Sequence, residues 1–380
     1  MFNIILLGIT SLLTDISSEM VYPILPIFLV NTLGASPAIL GLIEGIAESL
    51  ASLSKVFSGY FSDKLKLRKP FTIFGYASSA LGKFFLYIST GWTCVLVARV
   101  VDRFGKGIRT APRDALIADS SKEGKRGAAF GLHRAMDTLG ATVGVILSLY
   151  LITRFKENFR NIFLFSLIPA FLGVIFLFFV KEKKQELKPR PEKPQFRWNA
   201  LDKRLKLFLI FTFIFTLGNS SNQFLLLRAK GLGGSISQVI LFYLVYNIVY
   251  FLTAYPASRL SDRIGRKKLL VLGYLFYGLV YLGFAINSSP NMLWFLFGVY
   301  GLYIGFTEVV EKALVADIAP AELRGTVIGL HATLAGIGLL PASLLAGGLW
   351  NFLGPAAPFY FGGFMGVFAS VGFWFVLKGI

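Results

Sequence analysis

The segment from Arg99 to Arg113, RVVDRFGKGIRTAPR, sits inside a stretch that is otherwise apolar enough to cross a bilayer. At about 100° per residue, Arg99, Asp102, Arg103, Lys106, Arg109 and Arg113 fall within a face of about 120°. One helix therefore carries a single charged stripe. A charge at the bilayer centre costs at least about 2.5–3.5 kcal/mol, so such a stripe persists only against protein partners or a water-filled cavity. The stripe points inward, and the chain around it must build an interior within the membrane.

Composition agrees: 55% of residues are hydrophobic, 38 of 380 are Phe, and the mean hydropathy is +0.67. Apolar runs of about 20 residues, the length that crosses the hydrocarbon core, number twelve. They lie at 4–30, 39–60, 71–89, 93–112, 127–152 and 162–180, and then at 205–227, 236–257, 269–287, 292–310, 325–350 and 359–377. The expected fold is an all-α polytopic membrane protein. The charged interval 181–204, with three prolines, is read as a linker between two six-helix halves, 1–180 and 205–380. The single Cys94 excludes an intramolecular disulfide, and no short apolar segment with a cleavage site precedes the first run.

Counting Lys and Arg in and beside the loops, one side carries 24 and the other five: Arg154, Lys156, Arg160, Arg228 and Lys230. The positive-inside rule puts the rich side and both termini in the cytoplasm, and the chain in the cytoplasmic membrane as a multi-pass protein. These loops also account for the net charge of +18. No aromatic-basic module accompanies it, so the expected partner is the lipid bilayer and not a nucleic acid.

A shift of 198 residues lays one half on the other. Residues 114–119, DALIAD, fall on 312–317, KALVAD; Arg126-Gly127 on Arg324-Gly325; Gly131-Leu132-His133 on Gly329-Leu330-His331; and Gly140 on Gly338. Both histidines thus occupy equivalent places. Parallel six-helix repeats are a transporter device, with the substrate site between them.

After the second helix of each half comes a related loop. Ser258 to Lys268, SRLSDRIGRKK, resembles the G-x-x-x-D-R-x-G-R-K signature of the major facilitator superfamily, with Ser258 at the first Gly; Gly59 to Lys69 keeps the first Gly, Asp63 and the trailing basics but has Lys66 at the second Gly. Residues 98–105, ARVVDRFG, are similar to that superfamily's R-x-x-Q-G-x-G element, with Asp102 at Gln and Arg103 at Gly. Gly140-x-x-x-Gly144 resembles part of its antiporter signature, with Val145 at the Pro and Ser148 at a following Gly; close helix packing explains these glycines equally well. The resemblance covers the whole chain. It implies a transporter whose spans 1, 4, 7 and 10 line a central cavity while 3, 6, 9 and 12 stand outside. Charge placement fits: spans 6, 9 and 12 hold no ionisable Asp, Glu, Lys, Arg or His, and span 3 only Lys83.

The candidates for substrate binding and proton coupling are Asp15 and Glu19 on span 1; Arg99, Asp102, Arg103, Lys106 and Arg109 on span 4; His133 and Asp137 on span 5; Asn219 and Asn222 on span 7; and Glu308 and Glu311 on span 10. Asp15 ranks first by depth, with Arg99 and Arg103 as its expected partners. Asp15 and Glu19 could equally be static counter-ions of span 4, and inter-helix pairing is favoured for Glu44, Glu48 and the trio His133, Arg134 and Asp137. Arg113, near the cytoplasmic end, is assigned to a gate or to lipid headgroups. Asp63, Asp262, Arg263, Gly265 and Arg266 are candidates for gating.

No H-E-x-x-H and no phosphate loop occurs, so neither an enzyme nor an ATP-driven pump is expected, and no metal or cofactor. What remains is a monomeric secondary transporter of a small molecule. Resemblance to bacterial drug and metabolite exporters points to proton-coupled antiport, that is, efflux. The stripe, five cations to one acid, suggests a solute with an anionic group and an apolar body. An uptake symporter or facilitator of an organic anion is the alternative, and a channel or receptor the more distant one.

Overall fold

The computed structural model describes residues 2–121, 126–182, 201–320 and 323–377. Most of the interval read as a linker, 183–200, lies outside them. The described chain is helical, with no strand. Its long helices are α1 (Phe2–Val21), α2 (Pro37–Leu65), α3 (Arg68–Tyr87), α4 (Trp92–Ser120), α5 (Arg126–Arg154), α6 (Phe159–Phe178), α7 (Lys203–Gly218), α8 (Ile236–Ile264), α9 (Arg266–Ile286), α10 (Met292–Ile318), α11 (Arg324–Leu353) and α12 (Ala357–Val376). Among the described residues eight helices are long and apolar enough to cross a bilayer by composition alone; α2, α3 and α4, which carry charged side chains, and α7, which stops after 16 residues, are not among them.

Three boundaries depart from expectation. α4 runs through Pro112 to Ser120 and so carries Asp114 and Asp119. Proline is tolerated inside membrane helices because neighbours re-satisfy the freed backbone groups. α1 stops at Val21, and helix resumes over Leu25–Ile27 and a π-helical turn, Phe28–Thr32. α7 stops at Gly218 and resumes over Gln223–Gly231, so the run Asn219-Ser220-Ser221-Asn222 is the break and not part of one continuous span. Short polar side chains after a glycine compete with the helical ladder. The Tyr277 hydroxyl donates to Gly218 O at 2.7 Å, and Ser221 N donates to Ser343 Oγ at 3.4 Å, which replaces the lost bonds. The two breaks lie 198 residues apart, with prolines at 23 and 26 in one and amides in the other.

The chain divides into two compact units: Met1–Ala35, Ile46–Leu187 and Ser235–Leu241 in one; Ser36–Gly45, Lys188–Gly234 and Phe242–Ile380 in the other. In the first unit α1 packs on α5 and α6, and α3 on α4 and α6. In the second, α7 packs on α11 and α12, and α9 on α10 and α12. The second set is the first advanced by six helices. Glycines mark the closest approaches. A Cβ at Gly140 would lie 2.4 Å from Leu12 O, and one at Gly338 would lie 2.7 Å from Thr216 Cγ2. Gly107 likewise meets Ser54 of α2, and Gly305 meets Thr253 of α8. A Cβ at Gly144 would lie 2.5 Å from Ile16 O, so the Gly140/Gly144 pair is a packing device between α1 and α5.

Candidate functional site

In the first unit α4 presents its cations to α2 and α3. Arg99, Arg103 and Arg109 are all below 9% exposed. Glu48 of α2 sets Oε1 3.1 Å from Arg103 Nη2 and 3.9 Å from Arg99 Nη2. Asp102 lies between Arg99 Nη1 and Lys83 Nζ of α3, at 3.6 Å from each. Arg109 donates to the Ser79 hydroxyl, and its guanidinium lies 4.4 Å from the centre of the Tyr76 ring, an arrangement that a desolvated cation favours by about 2 kcal/mol. Arg113 binds Asp114 at 2.8 Å and reaches Ser11 of α1 at 3.4 Å. It belongs to the bundle and not to lipid headgroups.

The expected pairing of Asp15 with Arg99 and Arg103 is not what the structure holds. Those arginines go to Glu48 of α2 and, for Arg99, also to Asp102 one turn along α4 itself. The charged groups around Asp15 are instead Asp137, Arg109, Lys106 and Glu19. Among the described residues Asp15 forms no salt bridge, and neither does Lys106, which is exposed within the stripe and has Glu48 and Asp15 as its acidic neighbours. His133 and Asp137 form their own pair along α5, Nδ1 to Oδ2 3.4 Å. The inter-helix pairing expected of Glu48 is present, whereas the pairing of Lys83 with Asp102 depends on a distance across helices that the sequence does not encode.

In the second unit Glu308 accepts from the Tyr250 hydroxyl and lies 3.5 Å from Lys312. Glu311 accepts from the Tyr274 hydroxyl, and its Oε2 is 3.7 Å from His331 Nε2. Asn222 accepts from Tyr300 at 2.7 Å, while Asn219 caps the end of α7. The tyrosines look like ordinary core aromatics in sequence; the repeat marks only Tyr274, which falls on Tyr76.

At the α2/α3 and α8/α9 turns the two units repeat one ion-pair pattern. Arg68 lies 3.5 Å from Asp63 and pairs with Asp119 at the end of α4; Arg266 lies 3.8 Å from Asp262 and 2.5 Å from Asp317 at the end of α10. Arg263 is exposed. Gly265 has φ 93° and Lys66 φ 55°, so the turn needs left-handed backbone in both halves even where a lysine must supply it. Asp119 and Asp317 were not singled out as site residues, although the repeated Ala-Asp run that contains them carried the signal.

The profile of the Major Facilitator Superfamily matches residues 7–226 and 207–379. An uncharacterised MFS-type transporter of Methanocaldococcus jannaschii is 40% identical over 97% of this chain and 93% of its own length. The multidrug resistance protein MdtH of Baumannia cicadellinicola is 24% identical over 88% and 80%. The crystal structure of the nucleoside transporter NupG superposes with a TM-score of 0.80 at 14% identity, covering 100% of both chains, a likeness of fold alone. Twelve spans, an internal repeat carried down to individual glycines and ion pairs, and the profile along the full chain give one conclusion: the protein belongs to the major facilitator superfamily of membrane transporters.

Proposed function

We propose that this chain exports a small organic solute with an anionic group by alternating access, driven by protons that Asp15 exchanges. One observation carries the reading. Asp15 and Lys106 are electrostatic neighbours on α1 and α4, yet neither is tied into a salt bridge among the described residues, whereas Glu48 and Asp102 are held by arginines. A carboxylate and an ammonium near each other but unpaired can be claimed in turn by a substrate anion and a proton. A solute anion that takes Lys106 changes the field at Asp15, so the two ligands are linked through a shared neighbour. The MdtH relative, by its printed name a multidrug resistance protein, supports the outward direction.

The test is transport by purified protein in proteoliposomes, across a panel of organic anions and amphipathic drugs, with an imposed pH gradient. Asp15→Asn is expected to lose at least about tenfold of gradient-driven transport, a loss of about 1.4 kcal/mol in coupling, while keeping substrate counterflow. Lys106→Met is expected to weaken binding of the anionic substrates most. If Asp15→Asn keeps both activities, Asp15 is a counter-ion and the coupling reading is wrong. If solute and protons move in the same direction, the chain is a symporter.

A further inference from the structure

Glu311, Tyr274 and His331 meet inside the second unit, on three helices that pack together: α10, α9 and α11. Tyr274 is fully buried and His331 is 6% exposed. The tyrosine hydroxyl donates to Glu311 Oε1, so the oxygen left for a proton is Oε2, and Oε2 is the atom facing His331 Nε2. Their separation of 3.7 Å is beyond a hydrogen bond, and among the described residues Nε2 has no hydrogen-bond partner. A proton on either atom would let the two close together.

Among the described residues no lysine or arginine forms a salt bridge with this carboxylate. α9 contributes Tyr274, α11 His331, and α10 itself Tyr303, Glu308 and Lys312. Lys312 is 64% exposed and pairs with Glu308, which also takes the Tyr250 hydroxyl of α8. α7 faces the group with rings: Phe208 lies 5.9 Å from the His331 ring, and Phe215 lies 4.4 Å from the Tyr274 ring. Glu48 and Asp102 of the first unit have arginine beside them, and arginine keeps its charge under all ordinary conditions. Among the described residues the one salt-bridge contact of Glu311 is an imidazole, which carries charge solely when it holds a proton itself, while Lys312, next in the chain, is paired with Glu308. A buried carboxylate with no fixed cation is costly unless a proton accompanies it.

The repeat sharpens the contrast. The 198-residue shift places Tyr76 on Tyr274, His133 on His331 and Arg113 on Glu311. The same tyrosine and histidine frame thus encloses a permanent cation in one half and a titratable acid in the other.

We propose that Glu311 and His331, positioned by Tyr274, form a second proton-binding site, in the C-terminal half and separate from Asp15. It rests on the proton-coupled reading only for its use in transport. A proton from water adds to Glu311 Oε2 or His331 Nε2 and leaves to water from the same atoms; no other bond changes. Proton binding can be read with no substrate, by infrared difference spectroscopy of the full-length protein in lipid nanodiscs during a pH titration. The wild type is expected to show a carboxylic-acid C=O band that Glu311→Gln removes and Asp15→Asn leaves in place. Glu311→Asp should keep a band, which guards against simple misfolding of the Gln variant. His331→Gln is expected to displace the midpoint of that band by about 1 pH unit, and Tyr274→Phe to change its frequency. If Glu311→Gln leaves the spectrum as in the wild type, or if a folded His331→Gln leaves the midpoint in place, the site is structural. A wild type that ignores an imposed pH gradient while this band persists would sink the coupling role of Asp15 and leave the proton site standing.

Discussion

At residue scale the turn after the second helix of each half shows how one backbone demand is met by two side chains. Gly265 adopts φ 93° with ψ 136°, a region essentially reserved for glycine, while Lys66 sits at φ 55°, in the small left-handed well that other residues tolerate at a cost of roughly 1–2 kcal/mol. No atom lies within 4 Å of a Cβ built on Gly265, so backbone strain alone decides the outcome there. Gly265→Ala is expected to destabilise by about 1–3 kcal/mol, seen as a lower thermal midpoint in detergent. Lys66→Ala, which exchanges one L-residue for another in the same well, should change it by less than about 1 kcal/mol. Equal effects of the two substitutions would mean that side-chain contacts, and not φ, set the stability of these turns. The charged residues of the site were legible for a related reason: a cation inside an apolar run is expensive, so its presence announces a function or a partner. Which partner was not legible. Arg103 chooses Glu48 and not Asp15 through a 3.1 Å approach between helices that no spacing along the chain encodes.

At element scale the helical spans could be read because hydrophobic length is a property of the sequence itself, whereas the compact units exchange the short segments Ser36–Gly45 and Ser235–Leu241, which no linear division into halves anticipates. The break in α7 could not be read, since an apolar run of the length of a span continues on both sides of Asn219-Ser220-Ser221-Asn222. Caps supplied from afar escape sequence reading for the same reason. α3 begins at Arg68 after Leu67, a residue with no side chain to cap it. Its first amides are instead taken by Glu182, beyond the end of α6: Arg68 N donates to Oε1 at 2.8 Å and Lys69 N to Oε2 at 3.1 Å. Lys69 Nζ returns a bond to Phe178 O at 2.8 Å, and Asn3 exchanges bonds with the Lys181 backbone at 2.7 and 3.1 Å. Anionic oxygens at a helix N-terminus satisfy open donors and the helix dipole together, so their removal costs about 0.5–2 kcal/mol. Glu182→Ala should therefore speed hydrogen exchange at the amides of Arg68 and Lys69 by about threefold to thirtyfold, with α9, whose first turn is in the other unit, unaffected. Uniform acceleration across both helices would show that Glu182 matters to global stability and not to this cap.

At the scale of the whole molecule the decisive quantity is the charge asymmetry of 24 basic residues against five across the two faces. Each Lys or Arg near an anionic cytoplasmic leaflet is favoured by about 1 kcal/mol, and moving one outward against the membrane potential costs about 2.3 kcal/mol per 100 mV. An excess of nineteen such residues is expected to disfavour the inverted topology. On that expectation the ion-pair turns of Asp63 and Asp262 would face the cytoplasm, and the α5/α6 turn, with Glu157 exposed at φ 65°, would face outward. The sole cysteine makes this easy to test. Cys94 is exposed near the start of α4, on the outward side by the same census, so it is first replaced by Ser. Cysteines are then placed singly at Glu157 and Arg263, both exposed. A membrane-impermeant maleimide added to intact cells is expected to label Glu157→Cys and spare Arg263→Cys, and inside-out vesicles should give the reverse. Labelling of Arg263→Cys from outside would invert the orientation, and with it the direction in which a proton gradient across Asp15 could do work.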